Sequence, residues 1–230
     1  MSLRRLKATH FYEGVAAMFL VGALWWIPHS GYVAPVHVAA AVVVIVDPGH
    51  GGQDPGAVGV NGMFEKHINL SVAHALQHAL ASQGIVVYLT RTADYSVNRV
   101  APYSVRNDLL ARSRLVRKYH AAIFITIHSN AEPTHTMRGP IVYYDRDSLS
   151  SVRLADRVAH ALNAALGYAR PPRPIQQLVL EEAGVPAINV EVGFVSHRGD
   201  SAMLTSPQYQ ETLAKAIASG ILQYLNQGMK

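Results

Sequence analysis

The chain has 230 residues, half of them hydrophobic and 15% charged, with a formal net charge of +5 and no cysteine. Such a length fits one domain of ordinary size plus an extension, and no internal repeat or low-complexity tract points to an array. The lack of cysteine excludes disulfide staples, thiolate catalysis and cysteine-ligated zinc together, so any metal must sit on nitrogen and oxygen. The positive charge is mild and partly N-terminal, with Arg4, Arg5 and Lys7 set against Glu13. Basic residues in 91–118 lack interleaved aromatics or a base-reading motif and read as solvated helix faces, so no nucleic-acid partner is expected. An anionic polymer would still be attracted by this balance.

Arg4, Arg5, Lys7 and His10 precede the apolar run 14–27, which carries Trp25 and Trp26 and ends at Pro28. Residues 1–28 therefore read as a signal anchor or signal peptide, and 29–38, with Gly31 and Pro35, as a linker. Counted from Phe11 to Ile27, the apolar run is a little short of the roughly 20 residues that span a bilayer, so an uncleaved anchor and a cleaved signal both fit. The absence of a clean small-x-small cleavage site directly after it favours the anchor. Either one exports residues 39–230, because the positive flank stays inside. A buried core helix would sit poorly beside that flank.

From Ala39 onward, strand and helix alternate. The pattern predicts a strand over Ala39–Val46, a helix over Asn69–Ser82, a strand over Ile85–Thr90 after the Gln83-Gly84 stop, and a helix over Asn107–Tyr119. It continues with strands over Ala121–Ile127 and Pro140–Tyr144, a helix over Ser151–Leu166, a strand over Ala187–Val192 and a terminal helix over Pro207–Asn226. Strands such as Ala39–Val46 and Ala121–Ile127 are apolar on both faces, as expected when helices cover both sides of a parallel sheet. The expected fold class is α/β: a doubly wound, mostly parallel sheet with helices on both faces and right-handed crossovers. It forms a single catalytic domain, 39–230, after an N-terminal hydrophobic anchor.

Four residues stand at element boundaries where chemistry collects in such sheets. His50 follows a strand in Asp47-Pro48-Gly49-His50-Gly51-Gly52, and Glu65 lies in Phe64-Glu65-Lys66. His128 lies in Ile127-His128-Ser129-Asn130, and Glu191 in Val190-Glu191-Val192-Gly193-Phe194. Zinc in a hydrolase commonly takes two imidazoles and a carboxylate and leaves a position for water. His50, Glu65 and His128 fill that role. A non-ligand glutamate, here Glu191, can take the proton of the water and pass it to a leaving nitrogen.

Each of these residues also has a plainer reading. A histidine at a strand end is often structural, and Glu65 could be a first-turn acid that complements a helix dipole. Glu191 resists that treatment, because a lone carboxylate on an apolar strand is costly without a partner or a function. His74 and His78 are four apart on a helix but lack the glutamate of the helical metalloprotease signature, and they read as a wet face. The glycine turn at 49–52 is a poor phosphate cradle, since Asp54 stands where a dinucleotide fingerprint needs its third glycine.

Taken together, the motifs resemble zinc-dependent N-acetylmuramoyl-L-alanine amidases over about 43–226. The resemblance rests on Asp47 to Gly52, Glu65 in its Phe-Glu-Lys context, Thr90-Arg91, Asp108-Leu109 and Arg112. It continues through Ile127 to Ala131, Pro186-Ala187, and Glu191-x-Gly193-Phe194-x-Ser196. His197 departs from the asparagine usual in the family, and Ser129 from alanine or leucine. The resemblance implies one zinc ion on His50, Glu65 and His128, Glu191 as the catalytic glutamate, and peptidoglycan as substrate, cut between muramic acid and L-alanine. Within the family some members carry a helix that covers the zinc, inserted after the second histidine strand. Arg138 follows His128 by only ten positions, which leaves no room for one.

The long loop over Tyr95–Arg106 and the short anchor resemble most the sporulation type that starts muramic-δ-lactam formation in spore cortex. A housekeeping amidase in cell separation or turnover, an inactive peptidoglycan-binding module and an exported zinc carboxypeptidase are the alternatives. The expected pose puts the lactyl carbonyl on zinc, with Asn130, Arg138 and Gln176 or Gln177 as substrate contacts. An activating protein partner is left open.

Overall fold

Val43–Pro48 forms the first strand, β1, and every residue in it after Val43 is buried. The computed structural model describes residues 41–227, so the anchor or signal read over 1–28 and the linker over 29–38 lie outside the described residues. Helix α1 (Glu65–Ala81), strand β2 (Val86–Leu89), helix α2 (Val105–Lys118) and strand β3 (Ile123–Asn130) follow. Strand β4 (Ile141–Asp145), helix α3 (Leu149–Leu166), strand β5 (Arg173–Ile175) and the one-turn helix α4 (Leu178–Glu181) come next. Strand β6 (Ala187–Phe194), helix α5 (Arg198–Leu204) and helix α6 (Pro207–Gln227) complete the chain. Among the described residues, no helix is long and apolar enough to cross a membrane.

The strands form one six-stranded sheet in the order β2-β1-β3-β6-β4-β5. Strands β2, β1, β3 and β6 are mutually parallel, whereas β4 runs antiparallel to β6, and β5 parallels β4. The short β3–β4 connection explains the reversal: it holds turns and no helix, and a parallel return needs a crossover of a dozen or more residues.

Side-chain alternation divides the strands between two helix layers. Val44, Val46, Ile123, Ile125, Ile188 and Val190 pack with α1, α3 and α6, through residues such as Leu76, Leu154 and Ile217. Ile45, Phe124 and Ala187 pack on the other face with Val116 of α2 and Val179 and Leu180 of α4. Both faces are therefore covered, which accounts for the unbroken apolar runs.

The second face changes character along the strands. Ile45, Phe124 and Ala187 lie side by side in register, the next row is Asp47, Thr126 and Asn189, and the row beyond pairs His128 with Glu191. Apolar core thus gives way within four residues to polar chemistry at the carboxyl edge. Three short elements, β5, α4 and α5, escape sequence reading, and one predicted helix starts earlier than expected. The three-residue β5 follows Pro171-Pro172, and α1 begins at Glu65 rather than Asn69 because its first turn, Glu65-Lys66-His67, carries no apolar period.

Candidate metal centre

Beyond Pro48 the chain turns sharply, and His50 adopts φ 62, a left-handed conformation that aims its ring back over the sheet edge. Two glycines make room for the side chains that gather there. A Cβ on Gly49 would overlap the His128 ring, and one on Gly56 would stand 2.6 Å from Glu65 Oε2 and 2.7 Å from His50 Cδ2. Glu65 is the first residue of α1, carried in from the opposite helix layer, and a bulge between His128 and Asn130 interrupts the β3–β6 ladder.

These elements bring His50, Glu65 and His128 together. Their candidate ligand atoms all lie within 4.8 Å of one another. Glu65 Oε1 is 3.2 Å from His50 Nε2 and 3.0 Å from His128 Nδ1. The same carboxylate is oriented from behind: Oε1 accepts from the Ser129 N–H at 3.0 Å and from Asn69 Nδ2 at 3.1 Å, and Oε2 accepts from the Ala57 N–H at 2.9 Å. His50 Nδ1 bonds Asp54 Oδ2 at 2.8 Å, which leaves Nε2 for the group. A carboxylate behind a ligating imidazole is the usual outer support of a zinc histidine. Two imidazole nitrogens and one carboxylate oxygen, preoriented in this way, fit a zinc ion with a position left for water.

Electrostatics agree with that fit. Burial alone would lower the His50 pKa, but the bonds to Glu65 and Asp54 raise it to about 9. Burial alone would raise the Glu65 carboxyl, yet its bonds to both imidazoles hold it well below the ordinary carboxylate range. A carboxylate that draws a proton so strongly to its neighbour draws a divalent cation for the same reason.

Glu191 adjoins this group by its register with His128. Asn189 Nδ2 donates to Glu191 Oε1 at 3.1 Å, while Oε2 is sealed from solvent and has no hydrogen-bond partner among the described residues. Burial pushes the carboxyl above its ordinary value, and the His128 charge opposes that rise. A buried, unpartnered carboxylate oxygen beside a cation-attracting group is equipped to accept a proton.

Under the site lies a buried charge network. Asp47 accepts from the hydroxyls of Thr90 and Thr126 and from Arg112 Nη1, the last at 2.8 Å. Arg112 also donates to the carbonyls of Pro48 at 2.9 Å and His50 at 2.7 Å, and pairs with Asp108 at 2.7 Å. Arg91, fully buried, donates to the carbonyls of Pro48, Gly49 and Lys66 at 2.8 to 2.9 Å. Two arginines thereby hold the backbone of the turn that presents His50.

The substrate contacts expected from sequence fare differently. Asn130 ends β3 beside the group, and its Oδ1 accepts from the Ala131 N–H. Arg138 is exposed in the connection between β3 and β4. Gln176 and Gln177 are not brought to the group. They come after Ile175, which pairs with Asp145 at the end of β4 remote from Glu191, because β4 and β5 run opposite to β6. The loop that the reversal leaves at the carboxyl edge instead is Tyr168–Arg170, where Arg170 Nη1 donates to Gly139 O at 3.3 Å. His74 and His78 are exposed on α1 and take no part in the group. Sequence reading missed the supporting roles of Asp54, Asn69 and Ser129. The Gly-Gly turn with an acid two residues on was the available signal for Asp54.

A family model described as N-acetylmuramoyl-L-alanine amidase matches residues 44–223. The germination-specific N-acetylmuramoyl-L-alanine amidase of Bacillus subtilis is 31% identical over 209 residues, covering 88% of this chain and 84% of that protein. The sporulation-specific N-acetylmuramoyl-L-alanine amidase of the same organism is 29% identical over 187 residues, covering 80% of this chain and 69% of that protein. Among solved structures, the CwlD amidase from Clostridioides difficile, in complex with the GerS lipoprotein, aligns with a TM-score of 0.77 at 30% identity over 81% of this chain and 99% of that one. With its mostly parallel sheet and its clustered His, Glu and His, the chain belongs to the N-acetylmuramoyl-L-alanine amidase family.

Proposed function

We propose that this amidase is zinc-dependent, that His50, Glu65 and His128 hold the ion, and that Glu191 is its general base and acid. The bond cut is the amide between N-acetylmuramic acid and the L-alanine of the peptidoglycan stem peptide. One observation carries the reading: His50 Nε2, Glu65 Oε1 and His128 Nδ1 converge, and His128 pairs in register with Glu191, one oxygen of which is buried and without a partner among the described residues. When bound, zinc supplies a Lewis acid for the scissile carbonyl and lowers the pKa of water. The chain supplies the rest. Asn189 anchors Glu191 Oε1, so Oε2 is free to take the proton of the attacking water and return it to the amide nitrogen as the bond breaks. Asp54 holds His50 in one tautomer, and the Ser129 N–H, Asn69 and the Ala57 N–H hold Glu65 in one rotamer.

The biological setting we propose is spore cortex, where removal of the stem peptide prepares muramic-δ-lactam. The germination- and sporulation-specific relatives support it. Residues 1–28 would anchor or export the enzyme, 29–38 would link, and 39–230 would act on the wall outside the cytoplasm, with membrane and peptidoglycan as its contacts. The similar CwlD structure contains the GerS lipoprotein, which supports a protein partner for this chain as well. Arg138 and Asn130 remain the proposed substrate contacts.

The test is incubation of the chain, with and without zinc, on purified vegetative and cortex-type peptidoglycan, with fragments identified by mass spectrometry. Stem peptides beginning with L-alanine, released only with zinc, are expected. Equal release from vegetative wall would move the setting to wall turnover, and release without zinc would sink the metal assignment.

A further inference from the structure

The connection between β2 and α2, residues 90–104, is far longer than the roughly 2 to 6 residues usual for such a link, and long loops of this kind are commonly functional. Part of it walls a cavity of about 220 Å³ together with Gln53; the other lining side chains include Tyr95, Ser96, Asn98, Arg99 and Tyr103. The cavity adjoins the proposed metal site. Ser96 Oγ donates to Gly51 O at 3.2 Å, the Gly52 N–H donates to Asp94 Oδ1 at 2.7 Å, and a Cβ on Gly51 would stand 2.6 Å from Tyr95 O. The loop therefore lies directly on the turn that presents His50. Tyr103 is within Coulombic reach of Asp54, the residue bonded to His50.

We propose that this cavity is a subsite for one sugar of the glycan strand, next to the residue whose amide is cut; the inference rests on the peptidoglycan reading above. Beside the apolar Val100 and Ala101, the lining carries neutral amides and hydroxyls, from Gln53, Ser96, Asn98 and Tyr103, which can pair with sugar hydroxyl and acetamido groups. An aromatic ring such as that of Tyr103 in the lining can stack on the C–H side of a pyranose. The one cation, Arg99, lies over the Tyr95 ring at 4.1 Å and stiffens that wall. The volume is below the roughly 300 to 1,000 Å³ of pockets that enclose a whole drug-sized ligand, and suits one residue of a longer chain.

The experiment is calorimetric titration of the zinc-loaded full chain with peptide-free glycan fragments of peptidoglycan, for wild type, Tyr103→Ala, Tyr103→Phe and Gln53→Ala. Gln53 is exposed, so its variant tests the subsite even where Tyr103→Ala disturbs the loop. Tyr103→Phe, which keeps the ring and loses only the hydroxyl, is expected to bind within about 3-fold of wild type, and Tyr103→Ala and Gln53→Ala about 5- to 10-fold more weakly. Absence of glycan binding by wild type, unchanged affinity in both alanine variants, or displacement of glycan by free stem peptide would each overturn the subsite. The reading beneath it fails separately: wild type that binds glycan yet releases no stem peptide from intact wall would sink the amide-cleavage assignment and leave the subsite standing.

Discussion

Glu191 Oε2 is the atom on which the proposed chemistry turns, because burial deprives it of water and its neighbours among the described residues offer it no bond. Glu191→Gln preserves shape and the Asn189 contact but removes the basic oxygen. We expect zinc content and fold to be retained and kcat/KM to fall by roughly two to four orders of magnitude, measured by stem-peptide release. Wild-type turnover in that variant would exclude the role. Asp54 acts one bond further out. Asp54→Ala frees the His50 ring, so zinc affinity should drop by about 10- to 100-fold, read by competition with a chromogenic chelator, with circular dichroism unchanged. A variant that binds zinc as tightly as wild type would mean that the turn alone orients His50. The two residues also mark what sequence discloses. Glu191 is legible because a charge on an apolar strand violates the pattern around it, whereas Asp54 sits in a polar turn where any acid looks ordinary.

At the scale of elements, β1 and α2 are joined by a buried triad in which Arg112 bridges Asp47 and Asp108. Burial alone would raise the Asp47 carboxyl, but Arg112 and the two threonine hydroxyls hold it below its ordinary value. Removing one member leaves charges without a partner in the interior. Arg112→Ala should therefore destabilise the fold by about 3 to 5 kcal/mol in urea unfolding. Adding Asp47→Asn should recover part of that loss, and a loss below about 1 kcal/mol for the single variant would mean that solvent reaches the triad. The parallel strands β1, β3 and β6 are readable as long apolar runs, and His50 and His128 lie at their carboxyl ends. The direction of β4 is not readable, since a short apolar run carries no sign of which way it points. That one reversal takes Gln176 and Gln177 to the far end of the sheet and leaves Tyr168–Arg170 at the rim.

For the whole molecule, the proposed metal group would couple stability to pH in opposite ways with and without zinc. In the metal-free chain, the His50 pKa is raised from 6.5 to about 9, so the folded state binds a proton that the unfolded state has released over that interval. The stabilisation is complete below pH 6.5 and is lost as pH rises towards 9. Glu65 and Asp54, whose carboxyls are held below their ordinary values, contribute stability that is lost only on acidification, outside this window. Zinc replaces the proton on His50, so its affinity should rise across the interval in which the metal-free fold weakens. Thermal unfolding in chelator should thus show a falling Tm between about pH 6.5 and 8.5, and the increment produced by saturating zinc should grow over the same range. A zinc increment that stays constant with pH would mean that His50 carries no proton in the metal-free fold. One that shrinks as pH rises would place the ion on other residues.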